Sequence, residues 1–128
     1  MAVNQQNYAA TPRTEVAQVN AANTNRDGTG TIVTVFTAGT NGSRIDDLYI
    51  TPAVTTTAGM VRLYIHDGTT ARLWREVGIS ANTPSATNPV VHTVLSGLGL
   101  ILKSGYSLRA STEKAEAINI AVTRAGDF

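Results

Sequence analysis

The chain has 128 residues, ten basic and nine acidic side chains, and no cysteine. This length suits one domain with a single core, and the lack of thiols excludes disulfides, thiolate catalysis and zinc–thiolate sites. The formal net charge is only +1 and the sequence contains no basic run, so we expect no nucleic-acid partner. The longest apolar stretch, 98–102, is far shorter than a membrane-spanning helix, so we expect no membrane partner.

Residues 1–22 are predicted to form an extended N-terminal arm, followed by a single domain over 23–128. The arm has little hydrophobic periodicity, contains Pro12 and is rich in Asn, Gln and Ala. A short strand at 16–19 and a short helix at 14–22 both stay open within it. No charged segment precedes an apolar one, so we expect no signal peptide and a protein that begins near residue 1 and is made in a cytosol.

Nineteen Thr and only 15% charged residues favour sheet over helix, and leave a surface that is inexpensive to pack against neighbours. Strand-like segments recur about every ten residues, at 31–38, 44–50, 60–66, 71–77, 90–95, 98–102, 106–110 and 118–124. Turn signals at 40–43 and at Asp67–Gly68 predict two hairpins, and 78–89 reads as a loop. Seven to nine short strands predict an all-β sandwich, jelly-roll or Ig-like, and the pattern does not choose between the two.

Alternation within the strands predicts the core. In 60–66 the residues Val61, Leu63 and Ile65 share one face, and Arg62, Tyr64 and His66 share the other, which we assign to solvent. In 71–77 the residues Leu73, Arg75 and Val77 oppose Arg72, Trp74 and Glu76. We therefore expect six residues in particular to be buried: Val61, Leu63, Ile65, Ile118, Ile120 and Val122.

Few residues point to catalysis or to a bound ion. The two histidines, His66 and His92, lie in strand segments without a Gly-x-Ser-x-Gly elbow, so we expect structural histidines and no enzyme. Residues 23–28 (Asn-x-Asn-x-Asp-Gly) imitate the first six positions of a calcium-binding EF-hand loop. Position twelve is Thr34 in place of Glu, however, and no helices flank the loop. We predict a turn rich in Asn and Asp, no metal site and no cofactor.

Two groups of residues are candidates for an interface. The arm offers scattered apolar side chains that suit an extended strand on a neighbour's edge, and 72–75 combines Trp with Arg, a pairing typical of interface hot spots. For Trp74 three roles stay open, which are a core plug, an interface anchor and a platform for a sugar ring. The candidate interface residues are Tyr8, Arg13, Val16, Val19, Arg72, Trp74 and Arg75.

Three stretches resemble a known group of proteins: ANTNRDGTGTIVTVFTAGTNGSRID, TTTAGMVRLYIHDGTTARLWRE and SGYSLRAST, with a terminal AGDF. They are similar to small proteins that tailed phages and prophages encode among their virion structural genes. The resemblance covers most of the chain after residue 20 and implies a capsid decoration (cement) protein, a class in which trimeric β-sandwiches or jelly rolls are common. It implies location in the virion, synthesis in the bacterial cytoplasm, self-association as a trimer, and contact with the major capsid protein or other virion subunits.

Two other functions stay open beside this one. A tail-tip or fibre module would bind a glycan on the host surface, and a small hydrolase would need an active site that the motifs do not indicate. The resemblance carries no catalytic residue, because none of the matching motifs is catalytic. Copy number in the particle distinguishes a decoration protein, present in hundreds of copies, from a tail module, present in a few.

Overall fold

The computed structural model describes residues 9–128, which form nine β-strands in two antiparallel sheets packed face to face. The all-β sandwich predicted from the sequence is therefore confirmed. None of the described residues belongs to a helix long and apolar enough to cross a membrane. The strands are β1 Thr11–Val19, β2 Val33–Thr37, β3 Ser43–Pro52, β4 Gly59–His66, β5 Ala71–Ile79, β6 Thr93–Leu95, β7 Leu100–Leu102, β8 Ser107–Thr112 and β9 Ile118–Asp127.

The strand order is that of a jelly roll. The first sheet runs β1-β9-β3-β6, with β7 also paired to β3, and the second sheet runs β2-β8-β4-β5. Chain-distant strands pair in nested fashion: β1 with β9, β2 with β8, β3 with β6 and β7, and β4 with β5. This is one long antiparallel hairpin rolled into two sheets. It decides between the two topologies that the sequence left open.

The core lies between the sheets and matches the predicted alternation closely. Val61, Leu63, Ile118, Ile120 and Val122 are all buried, as predicted. Ile65 is only half-buried, because it lies near the end of β4, beyond a one-residue shift in the pairing of β4 with β5 between Leu63 and Tyr64. The other buried apolar residues of the core are Val19, Val35, Phe36, Ile45, Leu48, Ile50, Val77, Ile79, Leu102, Leu108 and Ala110.

One predicted hairpin is confirmed and the other is wrong. At 67–70 the Asp67 carboxylate accepts hydrogen bonds from the amides of Thr69 and Thr70, Gly68 has φ 97, and β4 and β5 pair directly. The turn at 40–43 is also tight, with the Gly42 amide donating to the Gly39 carbonyl at 3.0 Å. It nevertheless carries the chain from one sheet to the other, because β2 pairs with β8 and β3 with β9. The residues of a turn determine that the chain reverses direction there, but they do not determine which strands pair with each other.

Part of the segment predicted to be an arm belongs to the sandwich. Residues 1–8 lie outside the described residues, but Thr11–Val19 forms β1, an edge strand of the first sheet paired with β9 along its length. Val19 is 1% exposed and belongs to the core, so it is not available as an interface residue. The helix considered for 14–22 is also wrong. The sequence pattern does not reveal this strand, because two of its inward positions are Arg13 and Glu15. These two side chains are joined by hydrogen bonds, so apolar residues are missing where an inward face would normally show them.

Candidate functional site

The outer faces of the two sheets differ, because a loop packs over the outer face of the second sheet. Arg62 and Tyr64, which the alternation assigns to solvent, are 1% and 0% exposed. They lie beneath a loop at 23–30, which we call the cover loop. Gly28 of this loop has φ 87, and a Cβ at this position would collide with the carbonyl oxygen of Ala71 at the start of β5. The cover loop therefore closes the outer face of the second sheet with a part of the chain that lies far away in sequence.

Arg62 lies under the cover loop and donates to three acceptors, one of them in the loop. Its Nη1 donates to the Asn23 carbonyl at 3.1 Å, its Nε to the Glu76 carboxylate at 2.8 Å, and its Nη2 to the Glu113 carboxylate at 2.7 Å. Arg26 of the loop donates to the same Glu76 oxygen at 2.6 Å. The hydrogen bonds from Arg26 and then from Arg62 hold the pKa of Glu76 below its ordinary value. Each of the three guanidinium nitrogens of this buried cation thus has an acceptor, and burial of a charge is tolerated when it is paired and hydrogen-bonded.

The calcium-like stretch of the cover loop uses its polar side chains internally. The Asn23 Oδ1 accepts from the Asn25 amide, and the Asn23 Nδ2 donates to the carbonyls of Thr29 and Thr31. The Asp27 Oδ1 accepts from the hydroxyl and the amide of Thr29, which lowers the pKa of Asp27. The predicted turn rich in Asn and Asp is confirmed. From below, the Tyr64 hydroxyl donates to the Asn25 carbonyl at 2.9 Å.

We expect calcium and chelators to leave the melting temperature of the protein unchanged. The side-chain amide of Asn23 already forms hydrogen bonds with backbone groups. Asp27 is the one carboxylate among 23–28, whereas a calcium-binding loop supplies several charged oxygen ligands. Differential scanning fluorimetry with excess calcium and with EDTA measures this, and Asp27→Asn is the matched variant. A rise of several degrees that calcium causes in the wild type and not in Asp27→Asn would contradict the prediction.

Among residues 9–128, the outer face of the first sheet carries a row of exposed apolar side chains over which no loop packs. Val16 of β1 pairs with Ala121 of β9, Ala121 with Tyr49 of β3, and Tyr49 with Val94 of β6. We call these four residues the apolar row. Val16, Tyr49 and Val94 are 68%, 39% and 41% exposed, while the residues on either side of Tyr49 and of Ala121 are fully buried. The row therefore crosses all four strands on the side that faces away from the core.

The surroundings of the apolar row are uncharged on one side and charged on the other. The next set of outward residues is Gln18, Asn119 and Thr51, and Gln18 donates to Asn119 at 2.8 Å. The His92 ring, just before β6, lies 5.9 Å from the Tyr49 ring and borders the row on this side. Charges begin two strand positions away in the opposite direction, with the ion pairs Arg44–Asp46 and Arg124–Asp47.

The two histidines take structural positions among the described residues. The His66 Nδ1 accepts a hydrogen bond from the Gly68 amide at 3.0 Å, within the β4–β5 turn. His92 stacks at a tilt on Tyr49. Within residues 9–128, neither ring has a hydrogen bond to a hydroxyl or carboxylate that would make it a general base. The prediction of structural histidines therefore agrees with their surroundings, and the prediction of no enzyme stays a prediction.

The predicted interface residues are scattered over the molecule. Tyr8 lies outside the described residues, and Val16 is part of the apolar row. Arg13 points toward the second sheet, where it donates to the Thr37 carbonyl at 2.7 Å and lies 4.0 Å over the Phe36 ring. It also donates to Asp127 of β9, in its own sheet, at 3.0 Å. Arg13 therefore ties the edge strand β1 to β2. These contacts stabilise the fold, so the Arg13 side chain is not part of a free interface surface.

Arg72, Trp74 and Arg75 lie on β5, at the opposite edge of the second sheet. Trp74 is half-buried against the core, and the Arg75 guanidinium lies 4.9 Å over its ring, so the first of its three proposed roles, the core plug, fits its contacts best. The one-residue shift in the β4–β5 pairing lies opposite this position. A bulge and exposed charges on an edge strand discourage the addition of another strand. These three residues therefore lie on an edge strand that is protected from further pairing, and they are far from the apolar row.

The apolar row was missed because its residues meet only through strand register. Tyr49, Val94 and Ala121 come from three segments that are each unremarkable in sequence, and no local signal joins them. The only available signal was that each is an apolar residue on the outward phase of its strand. Comparisons with known proteins add no further assignment: no protein-family model, no curated protein and no solved structure matches the chain.

Proposed function

We propose that the chain is a virion structural protein of a tailed phage, a head decoration protein that binds the assembled capsid through the outer face of its first sheet. The observation that carries the proposal is the contrast between the two outer faces. One is closed by the cover loop over Arg62 and Tyr64, and the other presents the apolar row with Thr, Asn and Gln beside it. The resemblance to phage virion proteins supports the same assignment.

The chemistry of this face suits a permanent contact with another protein. Interfaces are depleted of charge at their centre and rich in aromatic residues, and Tyr49 lies in the middle of the row. Docking there desolvates few charges, because the nearest ion pairs lie toward the far end of the sheet. The jelly-roll fold itself occurs in viral capsid proteins and in lectins, so the assignment rests on the surface and not on the fold.

The size of the face argues for several copies acting together. The three long strands β1, β9 and β3, about 4.8 Å apart, and the short strand β6 together present roughly 500 Å², while a stable complex typically buries about 800 Å² on each partner. Linking copies raises the apparent affinity without any new contact. The proposal therefore includes a homo-oligomer, with a trimer favoured by the resemblance, in which each subunit contributes one such face to the capsid or to neighbouring virion subunits.

The alternative function is a tail-tip or fibre module that binds a host glycan. Its best candidate was Trp74, as a platform on which a sugar ring stacks. This indole packs partly on the core and carries Arg75 over its ring, so it offers less free ring surface than such a platform needs. Electron microscopy of purified virions distinguishes the two functions, because hundreds of copies on the head indicate a decoration protein and a few copies at the tail indicate the alternative.

The substitution Val94→Asp should abolish or strongly weaken binding to heads that lack the protein, since it places a charge in the apolar row. Leu73→Asp is the matched control, because Leu73 is an aliphatic residue of nearly equal exposure (38% against 41%) on the second sheet. Co-sedimentation with heads, at equal melting temperatures, gives the comparison. Equal binding by both variants would exclude the row as the docking surface.

A further inference from the structure

A cleft lies on the outer face of the second sheet, between the cover loop and the β4–β5 turn. It has a volume of about 300 Å³. The cover loop contributes residues 27–30 to its lining, the turn contributes 69–70, and the strands beneath contribute His66 of β4 and Arg109 of β8. With Asp27 in the loop, the cleft combines one guanidinium, one imidazole and one carboxylate.

Strand register places the Arg109 guanidinium and the His66 ring next to each other beneath the cleft. Tyr64 pairs with Arg109 and His66 with Ser107, so His66 and Arg109 are diagonal neighbours on the outer side of adjacent strands. The Arg109 Nε donates to the Ser107 Oγ at 3.0 Å. This hydrogen bond directs the guanidinium along the sheet toward the level of His66, where the β4–β5 turn begins.

Arg109 carries a charge without a partner in a partly buried position. Among residues 9–128, every other arginine either forms an ion pair with a carboxylate or is exposed. Arg109 is half-buried, and within the same range its side chain has a hydrogen bond only to the Ser107 hydroxyl. Charges that are removed from water are normally paired. The Nη1–Nη2 end of Arg109 is therefore free to bind a carboxylate through two parallel hydrogen bonds.

The other polar groups of the cleft supply a further donor and an acceptor. The His66 Nδ1 accepts from the Gly68 amide, so the neutral ring carries its proton on Nε2, which is left as a donor. The Asp27 Oδ1 accepts from the amide and the hydroxyl of Thr29, and no donor to Oδ2 lies among the described residues. Asp27 and Arg109 line the same cleft but form no ion pair with each other in this part of the chain. A ligand that contacts both must therefore extend across the cleft.

We propose that this cleft binds a sugar-sized ligand that carries one carboxylate, such as a uronic acid. The ligand carboxylate binds the Nη1–Nη2 end of Arg109, and a ligand hydroxyl donates to Asp27 in the cover loop. A volume of about 300 Å³ lies at the lower end for small-molecule sites, which suits a single sugar unit. A dianion such as phosphate fits less well, because Asp27 adds a like charge. The cleft lies on the second sheet, away from the apolar row, so this inference does not depend on the proposed function.

Titration of the full-length protein, followed by nuclear magnetic resonance at constant ionic strength, tests the site with glucuronate, glucose, lactate and inorganic phosphate. We expect glucuronate to bind with a dissociation constant of about 1 mM, typical of so small a ligand in an open cleft, and to shift the amide signals of residues 27–30 and 69–70. Glucose lacks the carboxylate, lactate has one hydroxyl instead of several, and phosphate is repelled by Asp27. Each of these three should therefore bind about tenfold more weakly than glucuronate.

Four results of this titration would overturn the proposal. Equal binding of glucose would mean that Arg109 does not recognise a carboxylate, and equal binding of lactate would mean that the ligand is not sugar-sized. Phosphate that binds as tightly as glucuronate would identify a general anion site. The absence of saturable shifts at about tenfold the expected dissociation constant would exclude the site itself.

Variants test whether the ligand binds at Arg109. Arg109→Gln removes the charged fork but keeps an amide that can donate to Ser107, and it should weaken glucuronate binding about tenfold. Arg72→Gln is the matched control, because Arg72 is an exposed arginine on β5 that does not line the cleft. Equal losses in the two variants would mean that net charge attracts the ligand, and would overturn the proposal. Equal melting temperatures verify that both variants are folded.

A third variant tests the contact with Asp27 separately. Asp27→Asn removes the like charge while keeping an oxygen that accepts from Thr29, so it should strengthen the binding of phosphate more than that of glucuronate. The measurement is the ratio of the two dissociation constants in the wild type and in the variant. An unchanged ratio would mean that Asp27 does not face the ligand, and would overturn this part of the proposal.

Discussion

Replacing Leu63 by alanine should lower the free energy of unfolding by about 2–5 kcal/mol. Leu63 lies in the middle of β4, between β5 and β8, and its side chain is completely buried in the cluster that both sheets share. Truncation removes apolar contact on all sides and leaves a cavity that the closed sandwich cannot easily collapse. Urea denaturation followed by fluorescence of Trp74 measures the change as a lower midpoint with an unchanged slope.

The matched control is Ile65→Ala, on the same strand and on the same predicted face. Ile65 is half-buried, so part of its side chain is already in water and the loss should be clearly smaller than for Leu63. A loss below about 0.5 kcal/mol for Leu63→Ala would contradict the assignment of this face to the core, because such values are typical of surface substitutions. Equal losses at the two positions would contradict the burial difference near the end of β4.

Core residues could be predicted from the sequence in strands where burial follows the alternation of apolar and polar residues within the strand itself. The inward residues of β4 and β9 follow a period of two, and five of the six predicted core residues are buried. The outward residues of β4 could not be assigned in this way. Arg62 and Tyr64 are buried because the cover loop, more than thirty residues earlier in the chain, lies over them. No alternation within β4 contains this information.

Local sequence patterns also could not predict which strands pair with each other. The turn at 40–43 was predicted correctly as a turn, but β2 and β3 separate into different sheets, since each finds its partner among later strands. The apolar row depends on the same non-local register. The strand Thr11–Val19 was read as part of an arm because its inward Arg13 is held by Asp127 and by the Thr37 carbonyl, so polar partners replace the apolar period that identifies a strand.

Replacing Arg62 by alanine should lower the free energy of unfolding by about 3 kcal/mol, near the lower end of the 3–5 kcal/mol typical of a broken buried ion pair. The lower end is expected because Glu76 and Glu113 keep 29% and 23% of their side chains exposed and can recover water. The Asn23 carbonyl loses its buried donor at the same time. The cover loop should lose its anchor, so backbone amides of 23–30 should exchange with deuterium faster than in the wild type.

Two further variants separate the contributions of the anchor. Arg62→Lys keeps the charge but not the planar fork that reaches three acceptors, so it should recover only part of the loss. Tyr64→Phe removes only the hydrogen bond to the Asn25 carbonyl and should cost about 1 kcal/mol. A loss below about 1 kcal/mol for Arg62→Ala, with unchanged exchange in the loop, would mean that the cover loop is held by its own internal hydrogen bonds.

The effect of Arg62→Ala should also depend on pH, with a definite sign. The pKa of Glu76 is held below its ordinary value by Arg26 and Arg62. A carboxylate whose pKa is lower in the folded state stabilises the fold above its unfolded pKa, and the contribution is lost as the pH falls through the folded value. The gap in stability between wild type and Arg62→Ala should therefore be largest near neutral pH and narrow in acid, where Glu76 is protonated and Arg62 loses this charged partner. A gap that stays constant down to pH values below the folded pKa of Glu76 would mean that Arg62 stabilises the protein through its other contacts and not through the charge of Glu76.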